Sequence, residues 1–225
     1  MTSATGRWTR FELIQPACYG KAVLCLRVAS DSAWVEDAKR DLDAILIDHA
    51  YCEMKAASNA LSLATRHPED FALVFALTDL AREEIDHFRR VLGFLERRGL
   101  RLGAPPVDAY AAKLRRAVSA LPRDGRVSTL VDRLLTAALI EARSCERFKL
   151  LLAVVSRERD SELHAFYTEL FAAEARHYQV LVDLAVTAAK GDVAAVHERL
   201  GLIAELESEI VRALAACPTR ATIHG

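Results

Sequence analysis

Apolar residues recur every three or four positions through most of this chain, the spacing of amphipathic helices rather than strands. From Ala33 to about Thr65 the inward stripe runs Leu42, Leu46, His49, Glu53, Ala56, Ala60 and Leu63, with Asp31 or Ser32 as the N-cap. His67-Pro68-Glu69 interrupts it, and Pro68 suits the first turn of a second helix that continues to Arg98 and ends at Gly99. The stripe of that helix is Leu73, Leu77, Leu80, Glu84, His87 and Val91. Residues 99–126 hold Gly103, Pro105, Pro106, Pro122 and Gly125, which predicts a long connection with a short helix near 108–120. Half extended and half helical, it spans about 65 Å, enough to run back along a helix of about 45 Å. A third helix is expected from about Ser128 to Ser156 and a fourth from about Asp160 to Lys190, with stripe Leu163, Tyr167, Leu170, Glu174, His177 and Leu181. A last amphipathic helix covers about 193–216. Residues 1–32, broken by Pro16 and Gly20, read as an N-terminal extension with a short helix near 21–29. The pattern predicts an all-α four-helix bundle with a core at about 33–190, one long crossover and an additional C-terminal helix, all in one domain over 1–225.

Two of these stripes carry charge where a core residue is expected. Glu84-Ile85-Asp86-His87 and Glu174-Ala175-Arg176-His177 are ninety residues apart, and positions i and i+3 of a helix share a face. A carboxylate and an imidazole so placed can reach one metal. Four-helix proteins that bind two irons through carboxylates use this pair on two helices and take one further Glu from each of the other two.

An internal repeat supplies the remaining two. Residues 47–53 align with residues 140–146, and 80–91 align with 170–181, so each half is a helix pair carrying Glu and then Glu-x-x-His. Glu53 and Glu146 occupy matching positions. Glu141 competes with Glu146, since residues five apart differ by about 140° and cannot both face the same centre. The third helix alone offers two equally good stripes, one through Glu141 and one through Glu146; the repeat selects Glu146. The expected ligand set is therefore Glu53, Glu84, His87, Glu146, Glu174 and His177. Glu84 and Glu174 would bridge, His87 and His177 would cap one metal each, and Glu53 and Glu146 would be terminal. Four carboxylates facing a bundle interior protonate or share cations. With two imidazoles they suit two non-haem irons, or manganese, better than structural zinc, and open positions on such a pair suit O2 chemistry. His49, one turn before Glu53, reads as a hydrogen-bonded core histidine, while Asp86 and Arg176 face away from the expected centre.

Composition narrows the partners. The chain has 225 residues, 52% hydrophobic and 27% charged, with only 9 Gly and 6 Pro, as long helices require. Lys plus Arg total 30 against 31 for Asp plus Glu, so no global field recruits nucleic acid. Of the local basic clusters, 97–101 and 113–116 read as solvated helix faces; Arg143, Arg147 and Lys149, near a proposed ligand, are candidates for phosphate contacts. Five cysteines without a Cys-x-x-Cys indicate neither a disulfide framework nor a thiolate site, and Cys52 and Cys145 read as packing residues. No apolar run approaches a membrane span and no secretory signal is apparent, so a cytoplasmic location with no membrane contact is expected.

The chain resembles the MiaE-type tRNA hydroxylases of the ferritin-like superfamily. The likeness lies in Leu46-Ile47-Asp48-His49-Ala50 with Cys52-Glu53, in Lys55-Ala56-Ala57-Ser58, in Ala81-Arg82-Glu83-Glu84 with His87-Phe88, in residues 138–148, and in Glu174-Ala175-Arg176-His177-Tyr178. It covers about 33–190, and the Ile140 to Phe148 block is its most distinctive part. The resemblance implies a ferritin-like diiron monooxygenase. Such an enzyme uses O2 and an external electron donor to hydroxylate the isopentenyl group of 2-methylthio-N6-isopentenyladenosine, the base beside the anticodon of tRNA. The residues alone stop at an O2-activating dimetal protein. They leave open a ferritin- or rubrerythrin-like iron oxidase or peroxidase, and a non-enzymatic helical interaction protein.

Overall fold

The computed structural model describes residues 24–105, 108–123, 125–215 and 222–223, and among them the chain forms seven α-helices and no strand. These are α1 (Ser32–Arg40), α2 (Leu42–Ala64), α3 (Phe71–Arg97), α4 (Ala109–Ala120), α5 (Thr129–Val154), α6 (Ser161–Ala188) and α7 (Val193–Ala215). Short polar side chains start them. Asp31, Asp41, Asp70, Asp108, Ser128 and Asp160 each accept a backbone N–H from the first turn they precede, and Asp192 accepts that of Ala195. Each cap satisfies a donor that the helix itself cannot. At the end of α3, Gly99 takes φ 67°, which lets the Leu100 N–H reach back to the Leu95 carbonyl at 2.9 Å.

Several expected boundaries differ. The helix expected over 33–65 breaks at Asp41, whose backbone (φ −140°, ψ 66°) ends α1 while its carboxylate accepts the Ala44 N–H to begin α2. Pro68 lies in the turn ahead of α3, and Asp70 supplies the cap. Residues 24–30 form turns and bends rather than the short helix expected near 21–29; positions 21–23 lie outside the described residues, as does most of the N-terminal extension.

The fold is a ferritin-like bundle. α2 packs along α3 and α5 along α6, and the two hairpins meet with α3 beside α6. The crossover from α3 to α5 carries α4, which packs against α5 and α7. The core falls into two apolar clusters. One gathers Ala57–Ala64 of α2, Leu73–Ala81 of α3, Val131–Ala142 of α5 and Leu181–Ala185 of α6, with α4 and α7. The other gathers Ile45–Ala50 of α2, Val91–Leu95 of α3, Phe148–Val155 with α5, and Leu163–Leu170 of α6, with Trp34 and Ala38 of α1. Ile223 joins the second cluster, donating its N–H to Asp48 at 2.7 Å, while the Trp34 indole donates to the Thr222 carbonyl.

α5 is buried on more than its bundle face. On its far side Arg143, with no exposed surface, donates Nε and Nη2 to the two Glu207 oxygens of α7 at 2.9 and 3.0 Å, and Tyr110 of α4 donates to the same carboxylate. This joins three helices outside the bundle interior. Glu207→Ala leaves the Arg143 guanidinium buried and partly unpaired, with Glu146 as its remaining carboxylate beside the Ser30 hydroxyl and the Val28 carbonyl. The expected loss is about 3 kcal/mol, read as a melting temperature lower by about 10 °C in a circular-dichroism melt. Glu207→Gln is expected to recover part of it.

Candidate metal centre

Between the two apolar clusters lies a layer of six ionisable side chains from all four bundle helices: Glu53 of α2, Glu84 and His87 of α3, Glu141 of α5, and Glu174 and His177 of α6. None is more than 7% exposed. One helical turn brings Glu84 level with His87 and Glu174 level with His177. Candidate ligand atoms of Glu53, Glu84, His87 and Glu174 lie within 4.8 Å of one another, and so do those of Glu84, Glu141, Glu174 and His177. The two groups share Glu84 and Glu174. Each group could therefore hold one cation, and the two shared carboxylates would serve both.

The contacts within the layer are close but poorly shaped as hydrogen bonds. His177 Nδ1 lies 2.8 Å from Glu84 Oε1 and 3.6 Å from Glu174 Oε2, yet none of these three buried atoms has a hydrogen-bond partner of acceptable geometry. His87 Nδ1 is 3.3 Å from Glu84 Oε2 and 3.9 Å from Glu53 Oε2, and the two imidazoles face one another with ring centres 5.9 Å apart. Hard oxygen donors with one imidazole per group suit divalent iron or manganese, and the buried orphan atoms fit a pair of such cations.

Neighbouring residues fix the layer. His49, fully buried, pairs through Nε2 with Glu53 Oε1 at 2.5 Å; its Nδ1 lies 3.3 Å from the Tyr167 hydroxyl, and Phe148, Phe166 and Tyr167 enclose its ring. Glu83 Oε2 meets His177 Nε2 at 3.1 Å and Arg176 Nη2 at 3.1 Å, leaving His177 Nδ1 turned inward. Such outer partners set the tautomer and orientation of a ligating imidazole.

Of the six residues expected from the sequence, the structure brings Glu53, Glu84, His87, Glu174 and His177 together and does not bring Glu146. Glu146 faces the opposite side of α5, where Arg143 Nη1 donates to it at 2.6 Å and the Ser30 N–H and hydroxyl donate at 2.7 and 2.5 Å. Glu141 takes the place in the layer. The repeat was matched five residues out of register, about 140° around the helix. The stripe test could not reveal this, because α5 is buried on both faces and Glu141 and Glu146 both lie on a covered one. The same burial corrects another expectation. Arg143 and Arg147 are inside the protein, so neither presents a guanidinium to phosphates; only Lys149 of that trio is exposed. Asp86 is exposed, Cys52 half-buried and Cys145 buried, both as free thiols. Sequence reasoning missed Glu83 and Tyr167; a carboxylate next to Glu84 was the available sign for the first.

The bundle and its buried carboxylate–histidine layer define a ferritin-like protein whose centre is compatible with metal binding. The family described as tRNA-(MS[2]IO[6]A)-hydroxylase (MiaE) matches residues 20–221, and the chain belongs to that family, an enzyme family of the hydroxylase kind. A Pseudomonas putida protein named tRNA 2-(methylsulfanyl)-N(6)-isopentenyladenosine(37) hydroxylase is 41% identical over 180 residues, covering 80% of this chain and 83% of that protein. A Salmonella typhimurium protein of the same name is 27% identical, over 91% of this chain and 90% of its own. A solved Synechococcus structure, described as Protein 43 with aldehyde deformylating oxygenase activity, superposes with a TM-score of 0.78 at 35% identity, over 90% of this chain and 96% of that one. No helix among the described residues is long and apolar enough to cross a membrane.

Burial, reinforced by the charges of Glu84 and Glu174, pushes the Glu53 carboxyl well above its ordinary value; burial with Glu174 and Glu84 does the same to Glu141. Burial also acts to raise Glu84, but the imidazoles of His177 and His87 close to its carboxylate outweigh it and hold Glu84 low. Burial acts to lower His177, yet Glu174 and Glu84 raise it to about 12. Without metal, the folded layer therefore keeps protons on Glu53 and Glu141 above pH 4.5, and on His177 above pH 6.5, that the unfolded chain has released. Stability of the metal-free protein accordingly falls as pH rises through this range. The low Glu84 acts the other way only below its ordinary 4.5, outside this window. Its melting temperature is expected to drop between about pH 6 and about pH 9, and the gain on adding ferrous or manganous ion is expected to grow over the same interval, since ligands bind deprotonated. A metal-free melting temperature that rises across this interval would contradict the buried, proton-sharing layer.

Proposed function

We propose that this protein is a non-haem diiron monooxygenase that hydroxylates the isopentenyl group of 2-methylthio-N6-isopentenyladenosine in tRNA. The observation that carries the metal reading is the pair of four-residue groups sharing Glu84 and Glu174. Membership of the tRNA hydroxylase family supports the substrate. The reading assigns Glu53, Glu84, His87 and Glu174 to one iron, and Glu84, Glu141, Glu174 and His177 to the other.

When bound, two irons supply the chemistry that activates O2 and inserts one of its oxygen atoms into a C–H bond. The overall change is R–CH3 + O2 + 2 electrons + 2 H⁺ → R–CH2OH + H2O, with the electrons from an external donor. The protein's own contributions are distinct. The apolar clusters above and below the layer keep bulk water from the reacting carbon. His49 holds the Glu53 carboxylate from behind, and Glu83 holds His177, so these two ligands are oriented before the metal arrives. The Tyr167 hydroxyl beside His49 fixes the imidazole that faces Glu53. A modified base in an anticodon loop can splay out of its stack to reach such a centre.

Iron-loaded protein given a reductant, labelled O2 and tRNA carrying the modification is expected to yield a product heavier by one labelled oxygen, read by nucleoside mass spectrometry. Consumption of O2 with the modified nucleoside unchanged would instead favour an iron oxidase. Glu141→Ala is expected to lose about one of the two metals and nearly all turnover, by at least a factor of about 100. Glu146→Ala is expected to retain both metals by elemental analysis, its deficit appearing as lowered stability, because Ser30 loses its acceptor and Arg143 loses one of its two carboxylates. The opposite pattern would return Glu146 to the ligand set.

A further inference from the structure

Two of the openings among the described residues differ sharply in electrostatic character. Between α3 and α6, beside His87, a depression is walled by Arg89, Arg90 and Arg176 against Glu83, Asp86 and Glu169. Its charges balance three against three, and most are paired: Arg90 grips Glu169 through two bonds of 2.8 and 2.7 Å, and Arg176 pairs with Glu83. A polyanion gains little there.

The second opening is a cleft of about 390 Å³ where the C-terminal turns of α2, the helix α4 and the N-terminal half of α5 meet. Arg66, Arg115, Arg123 and Arg133 stand around it with one carboxylate, Asp132. That carboxylate is spent: Arg199 donates to both of its oxygens at 2.7 and 3.0 Å, and Arg123 donates at 2.8 Å. Arg66, Arg115 and Arg133 are exposed and come from the turn after α2, from α4 and from α5, and none makes an ion pair among the described residues. Nothing in the local helix periodicity requires them to converge, and like charges gathered this way repel unless an anion sits among them. The inner wall of the cleft includes Ala137 and Ile140, and Glu141 of the candidate centre lies one residue past Ile140 and about 6 Å along the helix from Ala137.

We propose that this cleft binds the sugar–phosphate backbone of the RNA substrate, with Arg66, Arg115 and Arg133 contacting phosphates, so that a base turned out of its stack is presented on the α2–α5 side of the layer. The proposal rests on the tRNA hydroxylase reading for its ligand, and on the arrangement of the arginines for its place. It also accounts for how a chain with nearly balanced total charge holds a polyanion: the positive charge is local rather than global.

The test is binding of a fluorescently labelled, unmodified tRNA transcript to the metal-loaded full chain over a range of salt concentrations. Combined Arg66→Gln, Arg115→Gln and Arg133→Gln is expected to raise Kd at least tenfold and to reduce the slope of log affinity against log salt by about 2, as loss of three phosphate contacts requires. Arg89→Gln, at the other opening, is expected to change neither. Each single cleft substitution is expected to raise Kd about two- to threefold, which keeps the test open should the triple variant fold poorly. A triple variant with unchanged melting temperature and metal content that binds tRNA within twofold of the parent overturns the cleft, and parental turnover of modified tRNA would then leave the hydroxylase reading standing. A parent that binds tRNA through these arginines but leaves the modified base unchanged keeps the cleft and loses that reading. Binding to phosphatidylglycerol vesicles in place of RNA overturns the proposal in favour of a membrane surface.

Discussion

Everything in this protein is arranged around charges that sit in the wrong place for a core. Four carboxylates and two imidazoles occupy the middle of the bundle, with apolar clusters on either side. Isolated, each charge would destabilise the fold by several kcal/mol, so the layer exists only because its members face one another and because cations can join them. Packing is far more extensive within each hairpin than between the two. The hairpins are thus two closely packed halves, and the shared carboxylates Glu84 and Glu174 are where their groups overlap.

The second constraint is α5. Its bundle face delivers Glu141 to the layer, and its far face delivers Arg143 and Glu146 to a separate network with Glu207, Tyr110 and Ser30. That network ties α7, the crossover helix and the segment ahead of α1 to the element that carries a candidate ligand. The parts lying outside the four bundle helices therefore reach the centre indirectly, through α5 in this network and through α2 where Ile223 donates to Asp48.

Much of this could be read from residues alone, for identifiable reasons. Glu84-x-x-His87 and Glu174-x-x-His177 interrupt apolar stripes, and a charge at a core position is a strong signal. The helix starts followed from Ser128, Asp160 and Asp31, because capping needs a short polar side chain in one place. The break at Asp41 was hidden: Lys39, Arg40 and Asp41 suit the outer face of an unbroken helix as well as they suit a boundary. The register of the third bundle helix was hidden more deeply. Periodicity identifies a buried face by contrast with an exposed one, and α5 supplies no contrast there. The repeat then matched Cys52-Glu53 to Cys145-Glu146, whereas Glu53 corresponds in space to Glu141. Ser30 was invisible because an outer partner is defined by what it touches across the fold, and Glu83 showed only as a second carboxylate beside Glu84.

From Glu141 to Phe148 every residue of α5 is buried, two full turns of helix without a surface. Ordinary helices can drift on their wet side while keeping their dry one. This stretch has no wet side: each change alters either a packed volume or a charge in a closed space, and there are separate partners on both flanks to satisfy. Its tolerance for substitution should be the lowest in the chain, and a library randomised across it should yield almost no soluble protein, whereas one randomised across the outward positions of α3 should yield many. A segment so confined is also the one whose spelling persists longest as sequences diverge, which makes it the natural probe for distant members of the family.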